Sequence, residues 1–211
     1  MHEVMLIQCD IGKVNAAIAA QVLISRYQVD MIFNLGSSGA ISPELEIGDL
    51  VIATEAVQHD VDLSGFGLAR GEVMFDVDLA AASGQLTCRR QAAFATDVQL
   101  RELATQVVQI DSLAHVGQRQ PLLFHGRVLS GDGFLNDVVA ARRLRDELGG
   151  LCVDMEAGAI AQVCALNEVP LLVIRAISDR ANGDSKVDFH TFLDAATRNY
   201  ARIVMDLSLL L

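Results

Sequence analysis

The sequence predicts an α/β fold of three layers, α/β/α, around a mostly parallel or mixed central sheet. Two observations carry this. Short apolar runs with strand character alternate with segments whose apolar residues recur about every 3.6 positions. Several of the runs also end in a glycine-bearing or acidic turn. Parallel strands need long crossover connections, so this alternation places helices on both faces of one sheet.

The elements follow in order. Val4–Cys9 reads as a strand. Gly12–Tyr27 reads as a helix, with Val14, Ala17, Ile18, Gln21, Val22 and Ile24 on a helical period. Met31–Leu35 is a second strand, ending at Gly36-Ser37-Ser38-Gly39, and Leu50–Val57 a third, entered through Ile47-Gly48-Asp49. Residues 60 to 95 hold Gly65, Gly67, Gly71 and Gly84 and read as a long loop region, of a length usually given to function or to a partner. Asp97 caps a helix carrying Leu100, Leu103, Ala104, Val107 and Val108 on one face. Gly126–Ser130 is a short strand, and Asn136–Leu148 a helix stopped by Gly149-Gly150. Leu151–Met155 is a strand and Glu156–Asn167 a helix. Pro170 opens the strand Leu171–Ile177, and a last helix runs from about Asp188 to Leu209.

With 211 residues, 52% hydrophobic and 20% charged, the chain reads as a single domain, 1–211, with ample material for a core. The net charge of −11, with no basic cluster longer than Arg89-Arg90 or Arg142-Arg143, argues against a nucleic-acid partner. No apolar run approaches the ~20 residues that span a bilayer, and Met1-His2-Glu3-Val4 has no secretory character, so no membrane partner is expected. Cys9, Cys88, Cys152 and Cys164 lack metal spacing, and the five His give no i, i+4 pair. The expectation is a reducing, cytoplasmic compartment, with no metal and no cofactor.

Chemistry concentrates at the strand ends. Gly36-Ser37-Ser38-Gly39 lets a backbone approach a ligand closely and can cradle it with N–H groups, although such a turn is more often a tight connection. Ser130-Gly131-Asp132-Gly133-Phe134 is a second glycine-bearing loop, where Phe134 is either a core residue or a face for a planar base. Glu156 opens a helix whose neighbours Met155 and Ala157 are apolar. A carboxylate there needs a partner, and a sugar diol would supply two donors. Asp179 ends an almost wholly apolar strand, where it either caps a turn or protonates a leaving group. Arg175, inside that strand, requires an anion and reads as an orienting group for a carboxylate or a water. In an α/β fold these ends face one crevice.

Together these residues resemble the 5′-methylthioadenosine/S-adenosylhomocysteine nucleosidases of the purine nucleoside phosphorylase superfamily. The resemblance runs through Ile11-Gly12-Lys13-Val14-Asn15-Ala16-Ala17, Asn34-Leu35-Gly36-Ser37-Ser38-Gly39, Ile47-Gly48-Asp49-Leu50-Val51, His59-Asp60-Val61-Asp62, Ser130-Gly131-Asp132, Val153-Asp154-Met155-Glu156 and Arg175-Ala176-Ile177-Ser178-Asp179. It implies a nucleoside phosphorylase-like fold and hydrolysis of an N-glycosidic bond without a cofactor. Asp179 would protonate adenine N7, Glu156 would hold the ribose 2′- and 3′-hydroxyls, and Met155 would pack on the ribose. Phe134 would stack on the base while the Leu135 backbone meets its edge. Ser37 and Arg175 would hold the attacking water, Phe189 would close over the 5′-substituent, and Ser178 and Gly39 join the binding set. Phe66 resembles the residue this family lends to the neighbouring subunit, which implies a homodimer. Hexameric phosphorylases of the superfamily carry an Arg two residues before the Gly of the Gly-Ser-x-Gly motif; here that position is Asn34, which favours water over phosphate.

The resemblance also has departures. The family begins with a strand ending in a run of Glu, one of which acts on the attacking water. That strand and the two after it, roughly 40–50 residues, have no counterpart before Val4–Cys9, and Asp10 stands where the family has Gly. Three expectations stay open: a start assigned too late in a full enzyme, a chain slowed by about 10²–10⁴-fold for want of its base, or a nucleoside-binding module. A phosphorylase or futalosine hydrolase-type relative is the further alternative.

Overall fold

The fold is built around β8, Leu171–Asp179, a strand whose apolar residues alternate between two cores. The computed structural model describes residues 3–76, 88–110, 113–180 and 189–211. In chain order the other elements are α1 (Lys13–Tyr27), β1 (Ile32–Ala40), β2 (Leu50–Gln58), a 3-10 turn (Ser64–Phe66), β3 (Val73–Asp76), β4 (Cys88–Gln91) and β5 (Ala93–Ala95). Then come α2 (Val98–Ile110), β6 (Leu123–Ser130), α3 (Val138–Leu148), β7 (Gly150–Asp154), α4 (Ala157–Leu166) and, after β8, α5 (Phe189–Leu210).

The central sheet is mixed, in the order β5-β2-β6-β7-β1-β8. Pairs β2–β6, β6–β7 and β1–β8 are parallel, whereas β1–β7 is antiparallel. Leu50–Ile52 of β2 also pair antiparallel with β8, so the sheet curls back on itself, and β5 continues along the same edge of β2 at Glu55–Val57.

Helices cover both faces, as the alternation predicts. Leu171, Val173 and Ile177 of β8 join Ala16, Ala20, Ala157 and Ile160 of α1 and α4. Leu172, Ile174 and Ala176 join Leu100, Ala104, Phe192, Ile203 and Leu207 of α2 and α5. A strand buried on both sides is apolar at nearly every position, and this one is interrupted before its polar end by Arg175 alone, which is why it was plain in the sequence. Each fully buried Leu or Ile contributes about 1.5–3 kcal/mol. Helix α3 closes a third, smaller cluster through Ala141 and Leu144 against Leu129 and Val153.

Three expectations are corrected. Val4–Cys9 forms no strand: it is extended and largely exposed, with no ladder partner among the described residues, and a strand is not stable without one. Residues 60 to 95 are not all loop, because they hold the 3-10 turn, the β3–β4 pair and β5; Gly84 lies outside the described residues. The segment Gly36-Ser37-Ser38-Gly39 is not a turn but part of β1, paired in register with Arg175–Asp179. Its small residues are needed there: a Cβ on Gly36 would lie 2.7 Å from Arg175 Nη1.

Asp49, read only as a turn residue, is fully buried and fastens the far end of the sheet. It accepts from Arg119 Nη1 at 2.5 Å, and from Leu122 N and Glu46 N at 2.8 Å each. Asp49→Ala strands these donors and is expected to cost about 3 kcal/mol, read as a lower urea midpoint.

Candidate active site

The four strand ends meet around one small cavity of about 30 Å³, lined by Gly39 near the end of β1, Gly133, Phe134 and Leu135 after β6, Val153, Asp154 and Met155 at β7, and Asp179 at β8. It is the inner end of an open crevice. Phe134 stands at its rim, 76% exposed, and is not a core residue. A larger cavity of about 220 Å³ lies between α3 and the loop after β1, but none of these strand-end groups except the neighbouring Ala40 segment borders it. Of its arginines, Arg145 pairs with Asp146 and Arg180 with Glu46.

A β-bulge aims Asp179. The β1–β8 register runs Ser38 to Ile177 and then Gly39 to Asp179, leaving Ser178 as the extra residue. The Ser178 hydroxyl lies 2.9 Å from Asp179 Oδ2 and 3.3 Å from Ser38 O, and both are acceptors. Ser37, one residue after Gly36 on β1, is exposed.

Glu156 occupies the N-cap of α4, yet its side chain makes no capping bond. The cap comes from elsewhere. Ala157 N donates to Asp154 Oδ2 at 3.0 Å, and Gly158 N donates to Ser130 Oγ at 2.7 Å. With those first-turn donors satisfied, the Glu156 carboxylate is spared. Among the described residues its Oε1 accepts from Gly12 N alone, at 3.0 Å, where Gly12 has a backbone conformation (φ 100°) that favours glycine.

Arg175 is 1% exposed and lies beneath the crevice. Its Nε donates to Asp154 Oδ2 at 2.7 Å and its Nη2 to Asn34 Oδ1 at 2.5 Å. Burial opposes the guanidinium charge, but the Asp154 carboxylate outweighs it and raises the Arg175 pKa above its ordinary value. Ser130 Oγ donates to the other Asp154 oxygen. Tyr200 of α5 completes the network: its hydroxyl donates to Gly36 O and accepts from Ala176 N, each at 2.6 Å, bridging β1 to β8.

Sequence reasoning assigned no role to Asp154, Ser130 or Tyr200, and read Asn34 only as the place of a missing cation, not as a partner of Arg175. A polar residue inside an apolar strand was the available signal for Asp154 and Asn34, together with the anion that a buried Arg requires. Nothing local marked Tyr200, whose position on a core face of α5 suits any large side chain.

The chain matches the Phosphorylase superfamily model over residues 1–208. It is 38% identical to the 5′-methylthioadenosine/S-adenosylhomocysteine nucleosidase of Geobacillus thermodenitrificans, over 97% of this chain and 78% of that one. It is 36% identical to the Mycobacterium bovis protein of the same name, over 98% and 81%. The crystal structure of the Neisseria meningitidis nucleosidase in complex with methylthio-immucillin-A superposes with a TM-score of 0.78 at 34% identity, covering 96% of this chain and 79% of that chain. The chain belongs to this nucleosidase family.

Placed within the family, the expected residues divide in three. Gly39, Phe134, Leu135, Met155 and Asp179 line the cavity, with Ser178 bonded beside them. Glu156 follows Met155 and turns towards α1. Phe66 sits on the 3-10 turn, 79% exposed and apart from the cavity lining, and the side chain of Phe189 lies outside the described residues. Cys152 and Cys164 are free and buried, and burial pushes both thiols up to about 12, so neither is a nucleophile.

Proposed function

We propose that this chain hydrolyses the N-glycosidic bond of 5′-methylthioadenosine and S-adenosylhomocysteine, releasing adenine. The observation that carries this reading is the convergence of Asp179, Phe134, Leu135 and Met155 on one cavity at the strand ends, with Glu156 next in the chain. Phe134 stacks on the base and the Leu135 backbone meets its edge. Asp179, with Ser178 as its hydrogen-bond partner, gives a proton to N7, so the base leaves neutral. Glu156 holds the ribose hydroxyls and Met155 packs on the sugar. As the bond lengthens, positive charge develops on the ribose and a water attacks the opposite face. Ser37 holds that water in this reading. Arg175 works from below, fixing Asp154 and the β1–β8 pairing that carries Ser37.

Water is favoured over phosphate because Asn34 occupies the position of the phosphorylase cation and is itself engaged by Arg175. With phosphate present, the sugar product is expected to remain unphosphorylated, and oxygen from labelled water is expected at its anomeric carbon by mass spectrometry. A phosphorylated sugar overturns the hydrolase reading in favour of a phosphorylase.

The chain acts as a homodimer in this reading. Ile11, Val14 and Ile18 form one face around α1 and are 72%, 69% and 58% exposed, and Phe66 is equally uncovered. Such a stripe suits a partner copy. The compartment is cytoplasmic; among the described residues no helix is long and apolar enough to cross a membrane.

A further inference from the structure

Three loops from separate strands meet at the first turn of α1. Gly12 N donates to Glu156 Oε1 at 3.0 Å, and Lys13 N donates to Asp132 Oδ1 at 2.8 Å. The Lys13 ammonium then reaches across to Asp60, with Nζ 2.6 Å from Oδ1. Asp60 closes a ring by accepting from Asp132 N at 2.9 Å through its other oxygen. The Lys13 side chain is 16% exposed and that of Asp60 30%, so the ammonium is largely covered although the carboxylate reaches solvent. Burial would raise the Asp60 pKa, but the Lys13 ammonium and the Asp132 N–H outweigh it and hold the carboxyl below its ordinary range.

The ring fixes where the helix begins. The Glu156 and Asp132 carboxylates receive the Gly12 and Lys13 N–H groups at the positive end of α1, and Lys13 offsets the charge of the two aspartates around it. Without Lys13, Asp60 and Asp132 would repel one another and the Gly12–Lys13 turn would lose its anchor. Among the described residues Glu156 has no other tether: Oε2 has no hydrogen bond, and its helix is capped by Asp154 and Ser130.

We propose that Lys13, held by Asp60 and Asp132, is a positioning residue for sugar recognition, acting through Gly12 N–H to set the Glu156 carboxylate so that its second oxygen accepts from a ribose hydroxyl. The inference rests on the nucleoside reading of the site, because it assigns Glu156 to the ribose. It makes α1 part of the selectivity for nucleosides over free base.

Two ligands separate this role from a general loosening of the fold: adenine, which has no sugar, and a C-nucleoside analogue of adenosine, whose carbon–carbon glycosidic link cannot be hydrolysed. Affinities are measured by calorimetry on the full chain. Lys13→Met and Asp60→Asn each weaken the C-nucleoside by about tenfold, the loss of one charge-assisted hydrogen bond, and leave adenine within about twofold. Glu156→Gln shows the same pattern, and adding Lys13→Met to it costs nothing further. Equal losses for both ligands, no loss for either, or fully additive losses in the double variant overturn the proposal while the nucleoside reading stands. If the wild-type chain binds neither ligand, the functional reading itself fails, and the proposal with it.

Discussion

Asp179→Asn is expected to lower adenine release from 5′-methylthioadenosine by about 10²–10⁴-fold while the chain stays folded and still binds nucleoside. The substitution is nearly isosteric. The amide oxygen can still accept from Ser178 Oγ, which lies 2.9 Å from Asp179 Oδ2, so the bulge at the end of β8 is kept. What is lost is a proton donor. Adenine expelled without protonation leaves as an anion, and the developing charge on the ribose gains no help from the base. The expected signature is therefore a fall in kcat with KM little changed, read from steady-state kinetics, and an unaltered thermal midpoint. A fall in both kcat and the midpoint would instead mark Asp179 as a structural cap.

The largest effect on stability is expected at Asp154. It is 8% exposed and accepts from the Arg175 guanidinium, Ser130 Oγ and Ala157 N. Asp154→Ala leaves a guanidinium that is 1% exposed with, among the described residues, Asn34 alone as a hydrogen-bond partner, and uncaps the first turn of α4. Breaking a buried ion pair from one side costs about 3–5 kcal/mol. In a chain of this size that lowers the thermal midpoint by roughly 10 °C. The double variant Asp154→Leu/Arg175→Met removes both charges and is expected to cost less than Asp154→Ala alone, because no unpaired charge remains. Differential scanning calorimetry of the three proteins decides it. A double variant no more stable than Asp154→Ala would mean that the unpaired guanidinium is not the source of the cost.

The parts of this molecule that could be read from the chain are those in which local pattern and tertiary role agree. The run Leu171–Ile177 is apolar at every position but Arg175 because β8 is buried on both faces. Asp97 precedes an amphipathic segment and does cap α2, accepting from Leu100 N at 2.9 Å. Gly149 ends α3 in a left-handed conformation, as its place after Leu148 suggests. The cluster of expected ligand-facing residues was legible for a related reason: strand ends in an α/β sheet share one crevice, so Phe134, Met155 and Asp179 meet although more than twenty residues separate each from the next.

The parts that could not be read depend on partners distant in the chain. Val4–Cys9 has strand composition, but a strand exists only against another strand. Gly36-Ser37-Ser38-Gly39 has turn composition, yet the Arg175 side chain beside Gly36 turns small residues into a requirement of pairing. Glu156 reads as a carboxylate in need of a partner, but what frees it from capping is Asp154 two residues earlier and Ser130 on another strand. Lys13 and Asp60 are 47 residues apart, and no local period relates them.

The central claim is that this chain cleaves the bond between adenine and the sugar. The most direct test is chromatographic detection of free adenine from 5′-methylthioadenosine incubated with the purified chain, beside its Asp179→Asn variant. The account predicts adenine from the wild type, accumulating with time and enzyme, and next to none from the variant. A wild-type chain that binds adenine but releases none from either 5′-methylthioadenosine or S-adenosylhomocysteine would contradict it, and would make the site a nucleoside-binding pocket.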